Sequence, residues 1–141
     1  MRRDYIIGCI ILTISITLAV MFGSKESQDM LVYSSSSASM GGYHSERITV
    51  IANEKGISDK EKCAEKIVEK CRENSFKNVR FSYDLSKPNE LVVTICLNKK
   101  EADEGEGNFK FRYIQEAEER QYNIIDDPEK FRIEMLEETN E

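Results

Sequence analysis

The sequence predicts an α+β protein: a single N-terminal transmembrane helix, a Ser/Gly-rich tether, a two-layer β-α-β-β-β module and a short acidic C-terminal helix. Three observations carry this. The first residues are almost unbrokenly apolar, one later stretch repeats apolar residues at helical spacing, and several others alternate apolar and polar residues with period two. The module is expected to lay one helix on a roughly four-stranded mixed sheet.

Residues 5–23 contain no charge and would rise about 28 Å as a helix, against about 30 Å of bilayer hydrocarbon. Tyr5, Ile6, Ile7, Ile10, Ile11, Leu12, Ile14, Ile16, Leu18, Val20 and Phe22 would meet the lipid. Thr13, Ser15 and Thr17 can return their hydroxyls to the preceding turn. Arg2 and Arg3 precede the run, and Lys25 is the only early cation after it. The positive-inside rule therefore leaves residues 1–4 in the cytoplasm and puts the rest outside, in a single-pass protein of the cell membrane. A cleaved signal peptide is the competing reading, but Ala19-Val20-Met21-Phe22-Gly23-Ser24 makes a poor small-x-small site. Ser15, Ala19 and Gly23 carry the spacing that lets two such helices approach closely.

Residues 24–45, with four consecutive serines from Ser34 and the pair Gly41-Gly42, read as a flexible linker. Met30-Leu31-Val32-Tyr33 offers an alternative, a short strand folding back across the Gly-Gly segment. The α+β domain is expected over residues 46–125 and the acidic segment over 126–141.

In the domain, Ile48, Val50 and Ala52 alternate with Arg47, Thr49 and Ile51, a first strand. Ser58 with Glu61 three residues on resembles a capping box, with Ile57 as its staple. Cys63, Ala64, Ile67, Val68 and Cys71 then form the apolar stripe of a helix. Alternation over residues 79–85 and 91–97, around Lys87-Pro88-Asn89, predicts a hairpin. Residues 99–107 read as a charged, solvated loop, and Phe109, Phe111 and Tyr113 mark a further strand. Asp127-Pro128 should start a short helix whose Phe131 and Met135 share a face.

The chain has 20 Lys+Arg and 26 Asp+Glu, a net charge of -6. Seven acids lie from Asp126 onward, opposed only by Lys130 and Arg132, so the acidity belongs largely to the tail. The near-balanced remainder leaves no footprint for nucleic acid.

Residues able to carry chemistry are few. His44, the single histidine, falls in the expected linker without metal-ligand neighbours. Cys63, Cys71 and Cys96 lack paired spacing and read as structural. The acidic run near Asp103 lacks the ligand spacing of a calcium loop. No metal, cofactor or catalytic residue is assigned. Strand alternation instead gathers Arg47, Arg80, Lys110 and Arg112 on the sheet face away from the helix, with Asp84, Thr94 and Cys96. Clustered cations there call for an anionic partner, and the C-terminal segment could cover them with Phe131 and Met135 inward.

The expectation is a membrane-anchored, non-catalytic, extracytoplasmic interaction module of a bacterial envelope. Its partners are the bilayer and another protein, with no nucleic acid and no small-molecule substrate. The alternatives are a small envelope enzyme or accessory subunit using an exposed thiol such as Cys96, and a secreted ligand or inhibitor if the N-terminal segment is cleaved.

Overall fold

A computed structural model describes residues 29–116 and 121–137. The expected anchor, with Arg2, Arg3 and the lipid-facing side chains, lies outside these. Among the described residues no helix is long and apolar enough to cross a membrane.

Five strands form one mixed sheet in chain order: β1 (Leu31–Met40), β2 (Tyr43–Ile51), β3 (Glu90–Cys96), β4 (Phe109–Gln115) and β5 (Phe131–Leu136). All neighbours are antiparallel except β2 and β3, which run parallel and are joined through helix α1 (Lys60–Glu73). The α+β class with one main helix on a mixed sheet is as expected, with an additional strand.

The core lies between α1 and one sheet face. Ala64, Ile67, Val68 and Cys71 meet Ile48 and Val50 of β2, Leu91, Val93 and Ile95 of β3, and Phe109 and Phe111 of β4. Each large aliphatic side chain buried there contributes about 1.5–3 kcal/mol. The helix begins one residue later than its capping box suggests: Asp59, not Ser58, is the N-cap and accepts from the Lys62 backbone N–H at 3.0 Å. It ends at Asn74 in the left-handed region, where the Asn74 and Ser75 N–H groups close on the carbonyls of Cys71 and Lys70.

Four expectations are corrected. From Leu31 the supposed linker is β1, paired with β2 along its length, so the hairpin alternative is the one observed. The turn is Gly41-Gly42, both at positive φ (57° and 80°), the two-residue type that matches strand twist. Residues 79–85 form no strand, because β1 and β4 occupy the edges of β2 and β3 that such a strand would need. They belong instead to a long connection, residues 74–89, lying over the helix-side face. The Asn74 side chain holds both the N–H and the C=O of Phe81, Phe81 stacks on Tyr83, and Tyr83 donates to the Cys71 carbonyl. The alternation survives in part: Val79 and Phe81 pack on the core, whereas Leu85 is 83% exposed.

Third, the expected loop 99–107 opens with a second helix, α2 (Lys99–Glu104), capped by Asn98 and ended by Gly105 in the left-handed region. It covers one end of the outer face, where Ile51 and Cys96, paired in register, are buried apart from the main core. Fourth, the expected C-terminal helix is a single 3-10 turn (Pro128–Lys130) followed by β5. Phe131 and Met135 do share a face, by strand rather than helix periodicity, and it is the helix-side face. Phe131 stacks on Tyr113 and Met135 packs against the core. Ile124 plugs the core from the preceding loop, pinned by its N–H to the Pro88 carbonyl and by Arg72 on its own carbonyl.

Candidate functional site

The structure concentrates its unusual features where β1 and β2 run beyond α1. β1 is the terminal strand of the sheet, and Tyr33 to Met40 are all exposed. Its ten residues include no charge and no proline. An edge of that kind leaves backbone donors and acceptors ready to pair, and proteins ordinarily blunt it with lysine, proline or a short strand. Among the described residues only the start of β1 is answered: Asn78 accepts from the Val32 N–H at 3.1 Å and donates to its carbonyl at 2.7 Å, imitating a neighbouring strand. The other edge strand, β5, carries Arg132 and Glu134.

Beneath this edge, on the helix side, lies a groove of about 300 Å³ between β1–β2 and the 79–86 segment. Ser35, Ser37, His44 and Glu46 form its strand wall, and Arg80, Tyr83 and Leu85 lie on the loop wall. His44 and Glu46 stand two apart on β2, so strand geometry points both into the groove. Glu46 is buried, and one of its oxygens takes the Ser37 hydroxyl at 2.6 Å and faces His44 Nε2 at 3.1 Å. Across the groove, His44 Nδ1 meets Ser86 Oγ at 2.8 Å. The backbone of His44 is fixed too: its N–H donates to the Asn89 side chain and its carbonyl accepts from the Asn89 N–H. Burial, with Glu46 nearby, pushes the Tyr83 hydroxyl far above its ordinary range.

The four cations expected together do not all meet. Arg47, Lys110 and Arg112 share the outer face, with Arg47 and Arg112 in register on either side of Val92, roughly 10 Å apart. Arg80 is in the connecting segment on the opposite side, donating to the Asn74 carbonyl. Arg112 is answered within the sheet: Glu90 accepts from it at 2.8 and 3.0 Å, and Glu134 lies 4.0 Å away. The Glu90 contact raises the Arg112 pKa above its ordinary value. The tail therefore meets this cation from the sheet edge, as part of β5. Phe131 and Met135 face the other way, so the segment does not lie across the outer face with those residues inward.

Among the described residues, the Cys71 and Cys96 thiols are buried and that of Cys63 is half-buried. Burial pushes Cys71 up to about 12, and burial also raises Cys63 and Cys96, the latter helped by Glu101. Reactive cysteines need the opposite shift. Among the described residues no group of His, Cys, Asp and Glu could hold a metal ion.

Sequence reasoning missed Glu46 and Ser86 and set His44 aside. The signal is there in part: His44 and Glu46 continue the period-two series of Ile48 and Val50, but the serine-rich composition upstream of Arg47 masks it. Ser86, forty-two residues from His44, leaves no such trace. Compared with protein-family models, with curated proteins and with solved structures, the chain matches none.

Proposed function

We propose that the protein is a membrane-anchored interaction module that receives an extended segment of another protein along the open edge of β1. The observation that supports this is the ten-residue edge strand without charge or proline, exposed from Tyr33 to Met40. An added strand would gain main-chain hydrogen bonds from the edge and side-chain specificity from the faces beside it.

The anchor belongs to the same reading. Met30 is buried in the core and Asp29 pairs with Lys77, so the chain is fastened to the module at residues 29 and 30. A helix ending near residue 23 would leave about five residues of connection, at most about 18 Å. The module would stand against the bilayer, with β1 starting near the membrane and the Gly41-Gly42 turn at its far end. Such confinement raises the effective concentration toward a partner in the same membrane.

The test is a photo-crosslinking residue at Ser36 of the full chain in its membrane, compared with one at Glu134 on the opposite edge. A discrete protein adduct from Ser36 alone, lost in Ala38→Lys without a change in thermal unfolding, is the expected result. Equal adducts from both edges, or an adduct indifferent to Ala38→Lys, would defeat the reading. Sequencing the mature N-terminus separates an anchored protein from a released ligand or inhibitor.

A further inference from the structure

We propose that Ser86, His44 and Glu46 form a hydrogen-bonded relay that makes Ser86 a nucleophile toward carboxylic esters. This activity is independent of strand capture at β1.

The proton positions follow from chemistry. In the proposed relay the ring hydrogen is placed on Nε2, toward the Glu46 oxygen 3.1 Å away, because a carboxylate accepts. Nδ1 then presents a lone pair, and the Ser86 hydroxyl 2.8 Å away donates to it. The chain of contacts is hydroxyl, base, buried acid, and it is recognised by roles rather than by sequence order. The acid is held in turn by Ser37 at 2.6 Å. Glu46 is a positioning residue, whereas Ser86 and His44 would touch the reacting atoms.

In the first step Ser86 Oγ bonds to the ester carbonyl carbon as its proton passes to Nδ1. Glu46 stabilises the resulting imidazolium. Collapse breaks the bond to the alkoxy oxygen, which leaves with the Nδ1 proton as an alcohol, and the acyl group stays on Ser86. Water then gives a proton to Nδ1 and attacks that acyl carbon. Release of the carboxylic acid returns the proton to Ser86 Oγ. Arg80 lines the same groove, where it already donates to the Asn74 carbonyl, and would have to leave that contact to meet the oxygen that becomes negative. Leu85, next to the nucleophile and 83% exposed, with Phe81 and Tyr83 on the same wall, suits an ester with a small apolar acyl group.

The experiment uses the full chain in detergent with p-nitrophenyl butyrate, and with a fluorophosphonate probe whose adduct is located by mass spectrometry. The adduct should fall on Ser86. Ester hydrolysis should drop at least about 100-fold in Ser86→Ala and in His44→Gln. Glu46→Gln should lower kcat with KM little changed, and Glu46→Asp should restore part of it. Ser86 is exposed, so its substitution leaves the fold intact even if the His44 variant unfolds. As a second measurement, the thiol of Ser86→Cys should be alkylated by iodoacetamide at least about tenfold faster at neutral pH with His44 present than with His44→Gln. An adduct elsewhere or none, hydrolysis unchanged in Ser86→Ala, or alkylation indifferent to His44 would each overturn the proposal.

Discussion

Asp103 shows how one side chain ties a small helix to a distant strand. Lys99 Nζ at 2.7 Å and the Tyr33 hydroxyl at 2.6 Å hold its carboxyl below the ordinary value of 3.8, and the same contact raises Tyr33. Because the folded value is the lower one, the ionised carboxylate contributes fully above about 3.8 and its contribution is lost as pH falls through the folded value. An NMR titration should place Asp103 below 3.8, and Asp103→Asn should return Tyr33 toward its ordinary range. The thiols give a second residue-scale prediction. Among the described thiols, under native conditions Cys63, half-buried, should react first with an aromatic disulfide reagent, and Cys71 and Cys96 only as the fold opens. Prompt labelling of Cys96, followed by peptide mapping, would restore the thiol-enzyme alternative. A structural, buried Cys96 agrees with the sequence reading, but its cover was not legible, because residues 99–107, which open with the α2 helix, read as a charged loop. Capping by Asn98, the left-handed Gly105 and the i,i+4 pairs Lys99–Asp103 and Lys100–Glu104 support that stretch as a helix.

Elements were legible where one periodicity dominated. The stripe from Ala64 to Cys71 has a single helical solution, and β3 and β4 alternate cleanly. Residues 79–85 also alternate, yet alternation records which side chains turn inward and says nothing about where backbone partners are. The β1–β2 turn is a case where composition misled: serines suggest a spacer, but Gly41-Gly42 supplies the positive φ that a tight hairpin needs. Gly42→Ala should cost about 1 kcal/mol by urea denaturation, from backbone strain alone since the added Cβ meets nothing within 4 Å. Gly107 makes the opposite case. A Cβ there would lie 2.7 Å from Thr94 Cγ2, so Gly107→Ala should destabilise by about 1–3 kcal/mol, and Thr94→Ser should relieve much of it in the double variant.

At the scale of the whole molecule, β5 completes the sheet beyond β4. Removing residues 126–141 would strip the β4 edge, expose Tyr113 and delete the buried Phe131. The expected result is loss of hydrogen-exchange protection throughout β4, and Phe131→Ala alone should cost about 3 kcal/mol. Unchanged protection after truncation would mean that β5 contributes little to the sheet. Local pattern by itself determined the α+β class, the stripe of α1 and the inward faces of β3 and β4, because each depends on residues within one turn or one strand of each other. Tertiary structure alone decided that the serine-rich stretch is an edge strand, that the tail is a strand rather than a helix, and that His44 and Glu46 meet Ser86. Those outcomes depend on which backbone edges remain unpaired and which distant segments then lie against them, and no short window of sequence contains either fact.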